Sequence, residues 1–198
     1  MGGPGEQVRI GRGEAVPVFL DRFDIDNVLI ASKEVWSDMA DRMRRLVDDT
    51  LELVWLGTER PQLALDTVEV QTLWEVVREN ACFESGWREG QLPMALTEDC
   101  LVRGHLNGLA QAMENIVRNA IRHSPAQGQV RLGGCRDGDA WHLWIDDQGP
   151  GVADAALESI FQPFTRLDAA RPGGDGFGLG LTIARCRVQL QGGELWAQ

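Results

Sequence analysis

Apolar side chains at Val28, Leu29, Val35, Met39, Met43, Leu46, Val47, Leu51 and Val54, with Thr50 in the same row, recur at helical spacing through residues 25–55. The spacing predicts one long helix whose apolar stripe needs a partner helix. Gly57 through Pro61 ends it, because glycine suits a helix C-terminus and proline cannot continue one, which places a linker at residues 57–63. Ahead of the helix, Gly2, Gly3, Gly5, Gly11 and Gly13 with Pro4 and Pro17 mark residues 1–24 as a loop-like lead-in. Beyond the linker, residues 68–85 carry Leu73, Trp74, Val76, Val77, Ala81 and Phe83 as an amphipathic helix, and a short strand is expected over 92–96. A second helix is predicted over 106–123, stopped at Ser124 because Pro125 disfavours a helical residue before it. Strands over 129–132 and 140–146 flank the turn Asp137-Gly138, and a last helix is expected over 179–191.

Composition narrows the picture only a little. The 198 residues suffice for one main domain and a smaller appendage, and 43% hydrophobic with 25% charged residues is ordinary for a globular chain. A net charge of −11 opposes nucleic-acid binding, which draws on lysines and arginines that neutralise phosphates. Cys82, Cys100, Cys135 and Cys186 form no CxxC pair, so neither a zinc site nor a disulfide framework is expected. Reduced thiols and the absence of a long apolar run or signal peptide point to a cytosolic chain.

The candidate chemistry is concentrated after residue 105. In the helix over 106–123, Leu109, Met113, Ile116 and Ala120 share one face, which should be core. Asn115, Asn119 and Arg122 share another, roughly 110° around at about 100° per residue. An amide oxygen can ligate Mg²⁺ and a guanidinium fork suits phosphate, although a solvated polar face has the same pattern. Trp141, Leu143 and Ile145 alternate onto one side of the following strand, and Asp147 continues that register toward the core. An inward carboxylate needs donors, which an adenine amine would supply; a turn aspartate at a strand end is the plainer alternative. Gly149-Pro150-Gly151 lets backbone approach a flat ligand closely. The run from Gly173 to Gly180 precedes an apolar helix, as a mobile loop that embraces phosphate at a helix N-terminus would. It has neither the strand–turn–helix setting of a dinucleotide fingerprint nor the Gly-Lys-Ser/Thr of a P-loop.

In order, these segments resemble the boxes of the histidine-kinase branch of the gyrase, Hsp-type chaperone, histidine kinase and MutL (GHKL) ATPase superfamily, over about residues 68–198. Residues 114–120 (Glu-Asn-Ile-Val-Arg-Asn-Ala) resemble the N box, 147–151 (Asp-Gln-Gly-Pro-Gly) the first glycine box, 161–164 (Phe-Gln-Pro-Phe) the F box, and 176–181 (Gly-Phe-Gly-Leu-Gly-Leu) the second glycine box. The resemblance implies an α+β chain: a two-layer α/β sandwich of the Bergerat type, with a mixed sheet covered by helices, preceded by a long helix. It implies ATP and Mg²⁺ as ligands. Asn119 would hold Mg²⁺, Asn115 would stand where the base or water-orienting group lies, and Arg122 with His123 would line the phosphates. Asn115, Asn119 and Arg122 would form the catalytic set. Asp147 would read adenine, while Gly149, Gly151, Phe164, Gly176, Phe177, Gly178, Leu179 and Gly180 would close around the nucleotide. Arg166 and Arg171 are candidates for the γ-phosphate.

The same resemblance implies a histidine protein kinase of a two-component system. Glutamate stands at the place of Asn115 in the hydrolysing members of the superfamily, and Glu114, one residue away on the helix, points elsewhere. An orienting amide suits transfer to an imidazole that is already nucleophilic at neutral pH. The chain departs from the family in having no phosphoacceptor motif: His105, His123 and His142 all fall in the nucleotide-binding part. Residues 44–56 resemble the end of the family's dimerisation hairpin, and residues 11–43 the second half of a HAMP relay, so the join near 43–46 reads as a deletion. The chain also stops short of the family's usual last strand, and His105-Leu106 replaces an Asp-Pro before the N-box helix. The division expected is a flexible or HAMP-like lead-in at 1–24, a helical remnant at 25–60 and the ATP-binding catalytic domain at 61–198. Expected partners are ATP, a histidine-containing dimerisation domain, a response-regulator receiver domain and a second copy through residues 25–56. The parent protein is expected at the inner membrane with this part on the cytoplasmic side. The alternative is a truncated or engineered module that binds nucleotide or dimerises without turnover.

Overall fold

The computed structural model describes residues 25–58, 63–96, 99–167 and 176–198, with backbone only at 25–34 and 58. The lead-in at 1–24, Arg171 and the loop glycines Gly173 and Gly174 lie outside the described residues. The chain divides into two compact units, 1–46 and 47–198, each taken by itself below.

The first predicted helix is present as α1 (Ile25–Thr58), and the division between units falls within it. In the first unit its ion pairs are local, Arg44–Asp41 at 2.8 Å and Arg42–Asp38 at 4.0 Å. Val35, Trp36, Met39 and Met43 stand exposed there.

The second unit is built on helices laid over short strands. The apolar run read as a helix over 68–85 is two elements: β1 (Asp66–Glu69) and α2 (Val70–Ser85). The strand escaped the pattern because only Val68 of its four residues is buried. Gly86 ends α2 at φ 71°, its N–H donating to Cys82 O at 2.9 Å, a left-handed cap that a β-carbon would disfavour. Next come β2 (Met94–Leu96) and the unanticipated β3 (Leu101–Gly104), which pairs antiparallel with β1 through Val68 opposite Val102. The helix α3 (Leu106–His123) has the predicted ends, and Ser124 leaves it at ψ 153°, as a residue before proline should. The strands β4 (Arg131–Asp137) and β5 (Ala140–Asp146) form the expected hairpin, β4 starting later and running longer than the pattern suggested. β2 runs parallel to β4, so β2-β4-β5 is a mixed sheet beside the β1-β3 pair. The last helix, α4 (Gly180–Gln189), packs along α3.

One core joins α2, α3 and the strands. Val70, Leu73, Trp74 and Val77 of α2 meet Met113, Val117 and Ala120 of α3 over Leu92, Val130 and Leu132. Each fully covered Val or Leu side chain contributes about 1.5–3 kcal/mol relative to exposure. The buried face of α3 is Ala112, Met113, Val117 and Ala120, with Leu109 and Ile116 only half-buried at its rim. The face is thus rotated toward Val117 from the sequence expectation, because α2 approaches α3 from that side; Asn80 Nδ2 donates to Glu114 Oε1 at 3.0 Å along the seam. Trp141, Leu143 and Ile145 turn toward the core as their alternation required. On the opposite face the indole of Trp144 lies flush against Gly133, where any β-carbon would overlap it.

Candidate functional site

α3 is amphipathic, so burying Val117 and Ala120 leaves the adjoining polar row at its rim: Asn115 and Asn119 are half-buried and Arg122 is exposed. The elements bordering that row are the glycine segments. Gly180, the first residue of α4, has its β-carbon direction 3.6 Å from Asn115 Oδ1. A β-carbon at Gly176 would collide with the Arg122 guanidinium, so this arginine lies directly against the loop backbone. At the end of α3, a β-carbon at Gly149 would lie 3.2 Å from His123 O and 2.7 Å from Asp147 Oδ1. The N-box helix therefore touches both glycine boxes, one near its middle and one at its end.

Asp147 departs from the inward register expected of it. Strand pairing ends at Asp146 opposite Arg131, and Asp147 is exposed, its Oδ1 accepting the Gly149 N–H at 2.7 Å. Once the ladder stops, the carboxylate is free to close this two-residue turn, the local bond that aspartate favours. The turn is also tied down by residues the sequence did not single out. Gln148 N donates to Ser124 Oγ at 3.2 Å, and Gln148 Oε1 accepts from Gln129 N at 3.2 Å. Ser124 read only as a helix stop; that it would reach a loop 24 positions away had no local signature. Gly151 sits at φ 74°, open on its β-carbon side, where glycine is needed for conformation alone.

The F box is held by α4. Thr182 Oγ1, buried, donates to Phe161 O at 2.9 Å, and the Arg185 guanidinium lies 4.6 Å from the Phe161 ring centre while pairing with Glu158 at 2.6 Å. Phe164 adopts φ 63°, a left-handed conformation costly for a side chain with a β-carbon, and its N–H donates to Gly178 O at 2.9 Å. Phe161 is buried and Phe164 exposed, so the two box aromatics face different surroundings. Gly178 itself is at φ 73°, and Leu179 is buried behind it at 1% exposure. Phe177 is half-buried in this segment. Arg166 stands exposed two residues beyond Phe164, and none of these pairings includes it.

The donor set bears on which ions could bind. Among the described residues no group of three or more His, Cys, Asp or Glu side chains could hold a metal. A divalent cation at this site would rest on amide oxygen together with phosphate and water, a set that suits Mg²⁺, which keeps much of its water and takes few protein ligands. Asn119, half-buried between Asn115 and Arg122 on the same row, fits that role.

Residues 104–198 match the family model for the histidine kinase-, DNA gyrase B- and HSP90-like ATPase. The chain is 58% identical to the sensor protein PfeS of Pseudomonas aeruginosa over 155 residues, covering 78% of this chain and 34% of that protein. It is 34% identical to the sensor histidine kinase CpxA of Escherichia coli over 165 residues, covering 80% and 35%. Among solved structures, full-length ShkA in complex with AMPPNP superposes with a TM-score of 0.68 at 26% identity, over 80% of this chain and 33% of that one. The mycobacterial sensor histidine kinase MprB gives a TM-score of 0.57 at 27% identity, over 67% and 84%. The chain thus spans about a third of the length of the curated relatives it matches. Four box motifs in order and these likenesses together place residues 104–198 in the histidine kinase-, DNA gyrase B- and HSP90-like ATPase family, with sensor histidine kinases as the relatives of the chain.

Proposed function

We propose that this domain binds Mg-ATP between α3 and the Gly176–Gly180 segment and directs the γ-phosphate to a histidine outside this chain. The observation that supports the reading is the meeting of Asn115 with Gly180 and of Arg122 with Gly176, which brings two polar side chains of α3 against the backbone of the second glycine segment. Asn119 ligates the magnesium ion through its amide oxygen, and Arg122 with His123 lines the phosphates. Asp147 reads the adenine amine while Gly149 and Gly151 let the base lie close to backbone. Arg166, and Arg171 beyond the described residues, supply positive charge toward the γ-phosphate. Asn115 orients without abstracting a proton. Bound ATP supplies the phosphoryl group: its bond to the ADP oxygen breaks as a bond to an imidazole nitrogen forms, and the imidazole gives up one proton. What the chain contributes is alignment and charge neutralisation.

Two of the three histidines have other contacts, and His123 is the one placed along the phosphates above. His105 Nδ1 accepts from Gly108 N at 3.1 Å as the N-cap of α3, and the His142 ring lies 5.1 Å from that of Trp196 and 5.8 Å from that of Trp144. The acceptor then belongs to the dimerisation domain of a sensor kinase, from which a response-regulator receiver takes the phosphate. Apolar residues exposed along α1, Val35 and Met39 in the first unit and Val47, Leu51 and Val54 in the second, favour pairing with a second copy through residues 25–56. No helix among the described residues is long and apolar enough to cross a membrane. The parent protein sits, on this reading, at the inner membrane with this part on the cytoplasmic side.

Calorimetric titration of Mg-ATP tests the reading. Asn119→Ala and Asp147→Ala are each expected to abolish binding, whereas Glu114→Ala, whose carboxylate faces Asn80, retains it. Equal losses in all three indicate misfolding. With labelled ATP and a separately supplied acceptor hairpin, label belongs on the hairpin; label on this chain alone refutes the assignment of the acceptor, and binding without any transfer leaves a nucleotide-binding module.

A further inference from the structure

The last turns of α1 are fastened to α4 by a contact that nucleotide binding does not require. Arg187, near the end of α4, donates to Glu52 Oε1 from Nε at 2.9 Å and from Nη2 at 2.8 Å. The two side chains are only 11% and 22% exposed, unlike the Arg44–Asp41 pair at 72% and 51%. The Arg187 guanidinium also lies 5.7 Å from the centre of the Trp55 ring, and Leu56 beside it is 6% exposed. Exposed ion pairs contribute little, but one shielded from water and backed by an aromatic ring holds its geometry. Residues 52–56 are therefore docked on α4, within the same compact unit.

Gln191 extends the joint to α3. Its Nε2 donates to Arg187 O at 2.9 Å and its Oε1 accepts from His105 N at 2.6 Å. The carboxamide occupies the space where a β-carbon would fall at Gly104, 2.8 Å from Oε1, and at Gly108, 2.9 Å from Nε2. His105 is the N-cap of α3, so α1, α4 and the start of α3 meet here. At the other end of α4, Gly180 adjoins Asn115 in the middle of α3. A rigid helix moved at one end moves at the other.

We infer that Arg187 and Gln191 are positioning residues that couple the docking of residues 52–56 to nucleotide binding at Gly176–Gly180. The inference rests on the Mg-ATP reading above. By linkage the coupling is reciprocal: nucleotide must alter the docking by the factor by which docking alters nucleotide affinity.

The test uses the whole chain, with Mg-AMPPNP as the titrant and hydrogen exchange of residues 47–57 as a second readout. Glu52→Gln and Arg187→Gln are each expected to change the dissociation constant about threefold or more, in the same direction. The double variant should change it no further than either single one, and the charge-exchanged pair Glu52→Arg with Arg187→Glu should restore it. Nucleotide should change exchange over 47–57 in the wild type and not in the single variants. Variants that melt earlier yet bind nucleotide as the wild type does reduce the joint to a structural clip and overturn the inference. So do additive effects in the double variant. A folded wild-type chain that takes up no nucleotide sinks the Mg-ATP reading and this inference with it, whereas uptake without coupling sinks this inference alone.

Discussion

Gly178→Ala separates two costs that a glycine-rich loop usually confounds. Gly178 is at φ 73°, where a β-carbon approaches the following carbonyl at about 1–2 kcal/mol. A β-carbon there would also lie 2.5 Å from Thr165 O and 2.9 Å from Phe164 C, both backbone atoms that cannot swing aside as a side-chain tip could. The loop can relieve that overlap only by releasing the bond from Phe164 N to Gly178 O, worth about 0.5–1.5 kcal/mol net. Alanine returns about 0.4–1 kcal/mol by restricting the unfolded chain. The expected net loss is about 1.5–2 kcal/mol. Gly86→Ala is the control: φ is 71°, nothing lies within 4 Å of its β-carbon direction, and only the conformational part remains, about 0.5–1 kcal/mol after the same return.

Urea unfolding followed by far-ultraviolet circular dichroism reads the difference. With a slope of about 2 kcal/mol per M, the midpoint for Gly178→Ala should lie about 0.5 M below that for Gly86→Ala. Mg-ATP affinity should fall about tenfold or more in Gly178→Ala, because the released segment adjoins Asn115 and Arg122, and stay at the wild-type value in Gly86→Ala. Coincident midpoints together with equal affinities would refute the claim that the Phe164–Gly178 contact shapes the nucleotide loop.

Thr182→Val keeps the shape of a buried side chain but leaves Phe161 O without its donor, so a loss of about 1–3 kcal/mol is expected in the same unfolding assay; Thr182→Ser, which keeps the hydroxyl, should lose less. Ser124→Ala removes the acceptor for Gln148 N and should weaken Mg-ATP binding more than it lowers stability, since the bond restrains the Asp147–Gly151 turn. Burial pushes the Cys100 thiol up to about 11, so less of it is thiolate at pH 8, whereas Cys135 is exposed; alkylation at pH 8 followed by mass spectrometry should label Cys135 first and Cys100 only on unfolding.

What the sequence made legible follows from range. The ends of α3 and the extent of β5 were readable because their signals are local: the polar row and apolar face of one helix, the Ser124-Pro125 stop, the alternation of Trp141, Leu143 and Ile145. The boxes were readable because their asparagines, aspartate and closely spaced glycines are residues that packing alone does not select. β1 and β3 were not, since a four-residue strand with one buried position has no period to detect, and its partner lies far along the chain. The rotation of the α3 face toward Val117 depends on where α2 lies, which no single-helix pattern encodes. Asp147 shows the opposite failure: a correct alternation was extended one residue past the end of the ladder.

The same distinction explains how the site is supported. Asn115, Asn119 and Arg122 are spaced along one helix, so a row of polar residues announces them. Their supports, Ser124, Thr182 and Gln191, are isolated polar residues whose bonds span 24, 21 and 86 positions of sequence. Each accepts from or donates to backbone in a box segment or in the helix that carries one: the first glycine box, the F box and the start of α3. Backbone groups must be satisfied wherever burial removes water, and a loop that binds phosphate through its own amides cannot use those amides to hold itself. Restraint therefore has to come from side chains on the rigid helices beside it. The price of an open, amide-rich loop is a set of distant polar anchors, and substitution at these should change affinity without touching any atom of the nucleotide.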